Sequence, residues 1–348
     1  MLAVRKMQPQ RGIEIVEIDS PKPKSDELLL SVRKAGICGS DRHLYEWDAW
    51  AELNFPTPVT LGHEIVGEVV SFGSGVQNFA EGDIIAVESH VFDGTCRACR
   101  TGNAHVCENL RILGIDMNGG FASFVAVPAR LAWKVPSGIP LERAALFEPL
   151  GNAVHATMRY DVSGQPLAVY GCGPMGLMAI AVARSIGANP IVASDISEYR
   201  RNLARVMGAH ATVDASSESC DEEFIRALGS RPTRTLEMSG HPRAVQQALR
   251  LSANGGKVVL LGIPPTPVEI SIADDVLFRG LDIYGVTGRL IWDTWYRTET
   301  FLLQHGDILD SMLTHTFPLK NFENAMSTIV GGACGKILLD IDSESSAD

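Results

Sequence analysis

Leu167-Ala168-Val169-Tyr170-Gly171-Cys172-Gly173-Pro174-Met175-Gly176 is the stretch that decides the fold. Four apolar residues read as a buried strand, Gly171, Gly173 and Gly176 form a Gly-x-Gly-x-x-Gly turn, and a helical pattern over residues 175–187 starts inside it. Between a strand and a helix those glycines have a physical purpose. They allow a tight turn and let backbone amides approach a pyrophosphate at the partly positive end of the helix. Asp195 stands nineteen residues beyond Gly176, after the apolar run Ile191-Val192-Ala193-Ser194. A carboxylate there accepts hydrogen bonds from a ribose 2′-hydroxyl and repels a 2′-phosphate, which favours NAD over NADP. Arg200 pulls the other way, because a guanidinium near the ribose can accept a phosphate.

Outward from this turn, apolar strands at 234–238, 257–262 and 281–285 alternate with helical stretches, the pattern of a doubly wound parallel sheet of six strands. This predicts an α/β dinucleotide-binding domain over residues 152–290. Upstream the texture is different: short strands such as Glu27-Leu28-Leu29-Leu30-Ser31-Val32 and Ile65-Val66-Gly67-Glu68-Val69-Val70, broken by glycine and proline, predict an irregular, mostly β domain over residues 1–151. The helix-like segment 294–304 and the strand-like segment 335–341 do not extend the alternation. Residues from about 291 to 348 are therefore expected to complete the first domain. The polar tail Ser343-Glu344-Ser345-Ser346-Ala347-Asp348 is expected to lack order.

A chain of 348 residues with 45% hydrophobic content, 20% charged content and 33 glycines fits two packed domains. Its net charge of −11 opposes binding to nucleic acid or to an anionic membrane surface, and neither partner is expected. The first residues carry no apolar signal stretch and no run is long enough to span a bilayer, so a cytoplasmic protein is expected.

Of the seven cysteines, three crowd together in Asp93-x-x-Cys96-x-x-Cys99-x7-Cys107. Three thiolates at this spacing point to zinc, with Asp93 as a harder fourth donor; the other reading is a reduced cysteine-rich lobe without metal. Elsewhere, Cys38 lies in Gly36-Ile37-Cys38-Gly39-Ser40-Asp41-Arg42-His43, and His63-Glu64 follows Gly62. Thiolate, imidazole and carboxylate together suit an open tetrahedral zinc that does chemistry, although each alone would more often be structural.

Taken together, these motifs resemble the zinc-containing medium-chain dehydrogenases over nearly the whole chain. The resemblance implies a GroES-like catalytic domain followed by a Rossmann domain. Within that family it is greatest to the branch acting on L-threonine, through residues 36–50 with Trp47-Asp48-x-Trp50, through Phe147-Glu148-Pro149-Leu150-Gly151-Asn152-Ala153-Val154-His155, and through Gly285-x-x-Gly288-Arg289 with Thr294-Trp295-Tyr296. It makes Cys38, His63 and Glu64 ligands of a catalytic zinc, with Glu148 close to the metal. It places Ser40 and His43 in a proton relay. For NAD it points to Met175, Asp195, Arg200, Leu261-Gly262-Ile263 and Val286-Thr287, and for the substrate pocket to His90; Arg289 is a candidate for holding a substrate carboxylate, with a cofactor or interface role equally open. It also implies a homo-oligomer, a homotetramer. Ser40 and Asp93 depart from the branch, which has threonine and cysteine there, and Gly114-Ile115-Asp116-Met117-Asn118-Gly119-Gly120 differs as well.

The function expected is oxidation of a secondary alcohol to a ketone with NAD and zinc, L-threonine being the first candidate substrate. Another amino alcohol or a polyol is the enzymatic alternative, and a catalytically silent NAD-binding homologue the non-enzymatic one.

Overall fold

The computed structural model describes residues 1–341. The tail expected to lack order lies outside the described residues. The described residues divide into two compact units, residues 1–149 with 313–331 and 336–341, and residues 150–312 with 332–335.

The first unit is built on a seven-stranded sheet, in the order Ala132–Lys134, Ile84–Val87, Glu64–Phe72, Glu27–Gly36, Lys336–Asp340, Leu313–Pro318, with Phe124–Pro128 also paired to Glu27–Gly36. Alternation along Glu27–Gly36 buries Leu28, Leu30 and Val32 on one face, the period expected of a strand packed on a core. The C-terminal strand Lys336–Asp340 returns to this sheet, pairing antiparallel with residues 34–36. Gly36 faces Glu64 in the neighbouring strand. A Cβ on Gly36 would stand 2.1 Å from Glu64 Oε2, so glycine makes the space in which that carboxylate is buried.

The second unit is a six-stranded parallel sheet in the order Ala211–Asp214, Ile191–Asp195, Leu167–Tyr170, Arg234–Glu237, Lys257–Leu260, Asp282–Gly285. In sequence order this is 3-2-1-4-5-6, the doubly wound arrangement whose ligand crevice lies where the winding reverses, between the first and fourth strands. The crossover helices carry their own end signals. Proline opens Pro174–Ser185 and Pro242–Leu251, the Ser197 side chain caps Glu198–Val206, and Gly229 ends Cys220–Leu228 in the left-handed conformation at φ 76°. Ala211–Asp214 escapes a reading for apolar runs because it is a sheet-edge strand with Val213 alone buried.

One boundary differs from expectation. Residues 291–312, expected with the first domain, belong to the second unit. The Asp293–His305 helix packs on the turn Gly306–Met312, which in turn packs on Pro174–Ser185 and Glu198–Val206. The return to the first unit begins at the strand Leu313–Pro318 instead.

Candidate active site

Cys38 sits at the N-cap of the helix Gly39–Glu46, in extended backbone, and the Asp41 side chain three residues on accepts the Cys38 amide at 2.8 Å. This is capping-box logic with an aspartate in the usual glutamate role. The strand start at Glu64, next to Gly62 in the positive-φ region at 95°, brings His63 and Glu64 beside it. The ligand atoms of Cys38, His63 and Glu64 all lie within 4.8 Å of one another, with His63 and Glu64 buried. Lys336, buried as well, pairs with Glu64 Oε2 and donates to the Ile37 carbonyl at 2.8 Å. That leaves Glu64 Oε1 and His63 Nδ1 buried without hydrogen-bond partners.

The electrostatics favour a cation. Burial opposes a charge on His63, but the Cys38 sulfur, Asp41 and Glu148 outweigh it and push the imidazole up to about 10. Burial lifts the Asp41 carboxyl to about 6 against the pull of His63. Sulfur, imidazole and carboxylate in one buried cluster, with polar atoms left unsatisfied, fit a zinc ion.

Four other expected residues, Ser40, His43, His90 and Glu148, lie in the same unit as this cluster. Ser40 Oγ is buried without a partner in the first turn of the Gly39–Glu46 helix. His43 lies one turn further, its Nδ1 2.5 Å from Asp48 Oδ2. Glu148 is buried and accepts the Ser89 hydroxyl at 2.7 Å. His90 is buried, its Nδ1 3.0 Å from Glu88 Oε1. Arg289, in the second unit, is wholly buried and donates to Asn152 Oδ1 at 2.9 Å.

The second cluster also assembles: ligand atoms of Asp93, Cys96, Cys99 and Cys107 lie within 4.8 Å of one another. Backbone amides of Asp93 and Asn109 point at Cys107 Sγ, each at 3.4 Å, and the Cys99 amide points at Cys96 Sγ at 3.5 Å. The Cys99 amide holds the Cys96 thiol below its ordinary value, whereas burial pushes the Cys99 thiol up to about 12. The Asn109 side chain, with the amides of Cys96 and Thr95, holds the Asp93 carboxyl well below the usual carboxylate range. The donor set fits zinc, with one oxygen among three sulfurs.

In the second unit Gly171 has φ 93°, and a Cβ there would meet the Ser239 side chain at 2.7 Å. The glycine turn thus lies against the loop after the fourth strand, at the reversal of winding. Asp195 Oδ2 accepts the Cys172 amide at 2.8 Å and Oδ1 the Ser197 amide at 2.8 Å, which holds the carboxylate beside the turn. Met175 and Arg200 are half-buried, and Arg200 Nε has no hydrogen-bond partner. Gly262 passes so close to the Gly240 backbone that a Cβ would stand 2.0 Å from its nitrogen. Leu261 and Val286 are half-buried, Ile263 and Thr287 exposed.

Reading for motifs missed four side chains that organise these sites: Lys336, Asp41, Ser89 and Glu237. Glu237 is wholly buried and accepts the amides of Ser239 and Gly240 at 2.9 and 3.0 Å. Lys336 was detectable, as a lysine opening an otherwise apolar strand. The partners of the other three are set by folding and leave no mark on spacing.

Comparison with known proteins agrees with this geometry. Residues 24–137 match the alcohol dehydrogenase GroES-like domain, and residues 174–304 match the zinc-binding dehydrogenase family. The chain belongs to the zinc-binding alcohol dehydrogenase family, and it is a zinc-dependent, nicotinamide-linked oxidoreductase acting on an alcohol. It is 43% identical to an L-threonine 3-dehydrogenase from Caldanaerobacter subterraneus over 97% of this chain and 98% of that one. It is 41% identical to an L-threonine 3-dehydrogenase from Pyrococcus furiosus over 97% and 98%. Among solved structures, a putative zinc-binding dehydrogenase from Sinorhizobium meliloti bound to NADP superimposes with a TM-score of 0.90 at 32% identity, covering 98% of this chain and 99% of that one. Among the described residues no helix is long and apolar enough to cross a membrane.

Proposed function

We propose that this chain oxidises the 3-hydroxyl of L-threonine, giving 2-amino-3-ketobutyrate, NADH and a proton from threonine and NAD. The observation that carries the reading is a Cys38, His63 and Glu64 cluster in a chain similar along its length to L-threonine 3-dehydrogenases. Zinc held by those three side chains supplies Lewis acidity to an alcohol oxygen. NAD held at the Gly171–Gly176 turn supplies the hydride acceptor, with Asp195 and Arg200 toward the adenosine ribose and Leu261, Gly262, Ile263, Val286 and Thr287 toward the rest of the dinucleotide.

The chain's own groups do the remainder. Ser40, whose buried hydroxyl lacks a partner, takes the proton from the alcohol, and His43, half-exposed, passes it towards solvent. Glu148, oriented by Ser89, lends negative charge to His63. His90, fixed by Glu88, lines the substrate side. Arg289 is read as an internal tie to Asn152 rather than as the holder of the substrate carboxylate. NADH formation on L-threonine, other amino alcohols and polyols tests the reading. Threonine is expected to give the highest kcat/KM; preference for a polyol would overturn it, and no turnover on any member would favour the silent homologue.

Asp195 leads us to assign NAD rather than NADP. In Asp195→Ala the preference narrows by about tenfold, the worth of one hydrogen bond to a charged group together with relief of repulsion. Equal kcat/KM for both dinucleotides in the parent would refute the assignment.

The lobe of Cys96, Cys99 and Cys107 is proposed to hold a structural zinc weakly, because the Asp93 oxygen is a harder donor than thiolate and is already engaged by Thr95, Cys96 and Asn109. Asp93→Cys is then expected to raise zinc content towards two ions per chain after mild chelation, and to raise Tm by about 3 °C. Two zincs per parent chain that survive the same chelation would contradict this.

A cytoplasmic location is proposed from the cysteines, none of which is in a disulfide. A homo-oligomer, a homotetramer as in the resembling branch, is proposed with support from Phe278 and Leu277, 81% and 67% exposed near the sheet-edge strand Asp282–Gly285. Light scattering of the purified protein tests it.

A further inference from the structure

The Trp47-Asp48-x-Trp50 segment has no part in the mechanism so far, yet it closes on His43. The Gly39–Glu46 helix ends at Trp47, which adopts left-handed backbone at φ 54° and ψ 56° while its amide donates to the His43 carbonyl at 2.9 Å. A tryptophan in that region is strained, and strain of this kind gathers where geometry serves a function. Here the Lys6 ammonium stands over the Trp47 ring, 4.7 Å from its centroid, and is itself held by the carbonyls of Gln10 and Gly12. The reversal returns Asp48 to the helix it has just left.

The two Asp48 oxygens then divide their work. Oδ1 accepts the amides of Trp50 and Ala51, each at 3.1 Å, and so caps the Ala49–Asn54 helix. Oδ2 is left for His43 Nδ1, at 2.5 Å. The Trp50 ring closes edge-on against the imidazole, with centroids 5.4 Å apart. The pair is 42% and 37% exposed, so it adds little to stability, and capping alone does not require the second oxygen. An ionised carboxylate only accepts hydrogen bonds, so Asp48 places the imidazole proton on Nδ1 and leaves Nε2 with a lone pair.

We infer that Asp48 is a positioning residue for proton release: it locks His43 in the tautomer whose Nε2 can take a proton. The inference rests on the reading of His43 as part of the proton relay.

The test is a double-mutant cycle on the zinc-loaded enzyme, with the pre-steady-state rate of NADH formation measured on the best substrate of the panel. Asp48→Ser keeps an N-cap but cannot reach His43. It is expected to slow NADH formation about tenfold, with KM for alcohol and NAD and the melting temperature near parental values. In the His43→Ala background, itself slow, Asp48→Ser should add nothing, because its target is gone. Asp48→Asn keeps the cap through its oxygen but turns an NH2 donor towards Nδ1, which favours the opposite tautomer, so it should be at least as slow as Asp48→Ser. If His43→Ala is slow but Asp48→Ser is not, or if Asp48→Ser slows both backgrounds equally, the positioning role is overturned while the relay stands. If His43→Ala runs at the parental rate, the relay reading itself fails and the role of Asp48 falls with it.

Discussion

Cys38→Ser is expected to lower NADH formation by at least about a thousandfold, the several kcal/mol that a Lewis acid contributes, while NAD binding stays near the parental affinity. A serine hydroxyl is a far poorer zinc donor than a thiolate, and the cluster offers three donor groups in all. His63→Ala should have the same outcome, with the added cost of leaving Glu64, Asp41 and Lys336 buried without the imidazole. NAD binding is spared because Cys38, His63 and Glu64 belong to the first compact unit, and the glycine turn with Asp195 to the second. Zinc analysis, NAD titration by fluorescence and steady-state rates on one preparation check all three statements. Turnover close to the parent's in either variant would remove the catalytic assignment of this cluster.

Gly176→Val is expected to do the reverse. Gly176 lies in the first turn of Pro174–Ser185, where a Cβ would stand 1.9 Å from the Gly171 carbonyl oxygen. That neighbour is backbone of the nucleotide turn, already committed at φ 93°, so either the helix moves away or the turn opens. Both misplace the amides at the helix N-terminus. NAD affinity should fall at least about tenfold and Tm by several degrees, on the order of 1–3 kcal/mol of overpacking, while zinc stays at Cys38. Parental NAD affinity in this variant would show that the turn does not carry the dinucleotide.

The two predictions draw on parts of the molecule that differ in how far the sequence alone reveals them. The turn from Gly171 to Gly176 was legible because its function depends on backbone, and backbone demands appear as glycines at fixed spacing between a strand and a helix. The cysteine lobe was legible for a related reason: its four donors fall within fifteen residues, so a short loop can bring them together without help from distant strands. His63 and Glu64 sit beside a glycine and could be nominated, but their distance to Cys38 depends on strand register.

The roles of Lys336 and Asp48 were not legible. Lys336 reaches Glu64 because the last described strand crosses back to pair with residues 34–36, a pairing between segments some three hundred residues apart. Asp48 reaches His43 because a strained residue reverses the chain between them. Neither depends on residue type at a spacing. The boundary near residue 291 also escaped, because helices packed on the sheet by contact alone carry no periodic mark of which core they serve.

The sequence by itself thus determined the two domain classes and nominated the glycine turn and the candidate metal donors, since glycine conformation and ligand chemistry are properties of residues and short spans. Only the tertiary structure decided which carboxylates are buried, how they are paired and which imidazole nitrogen faces a carboxylate. Those are properties of desolvation and distance, and both are set by segments remote in the chain that meet only when the sheets form.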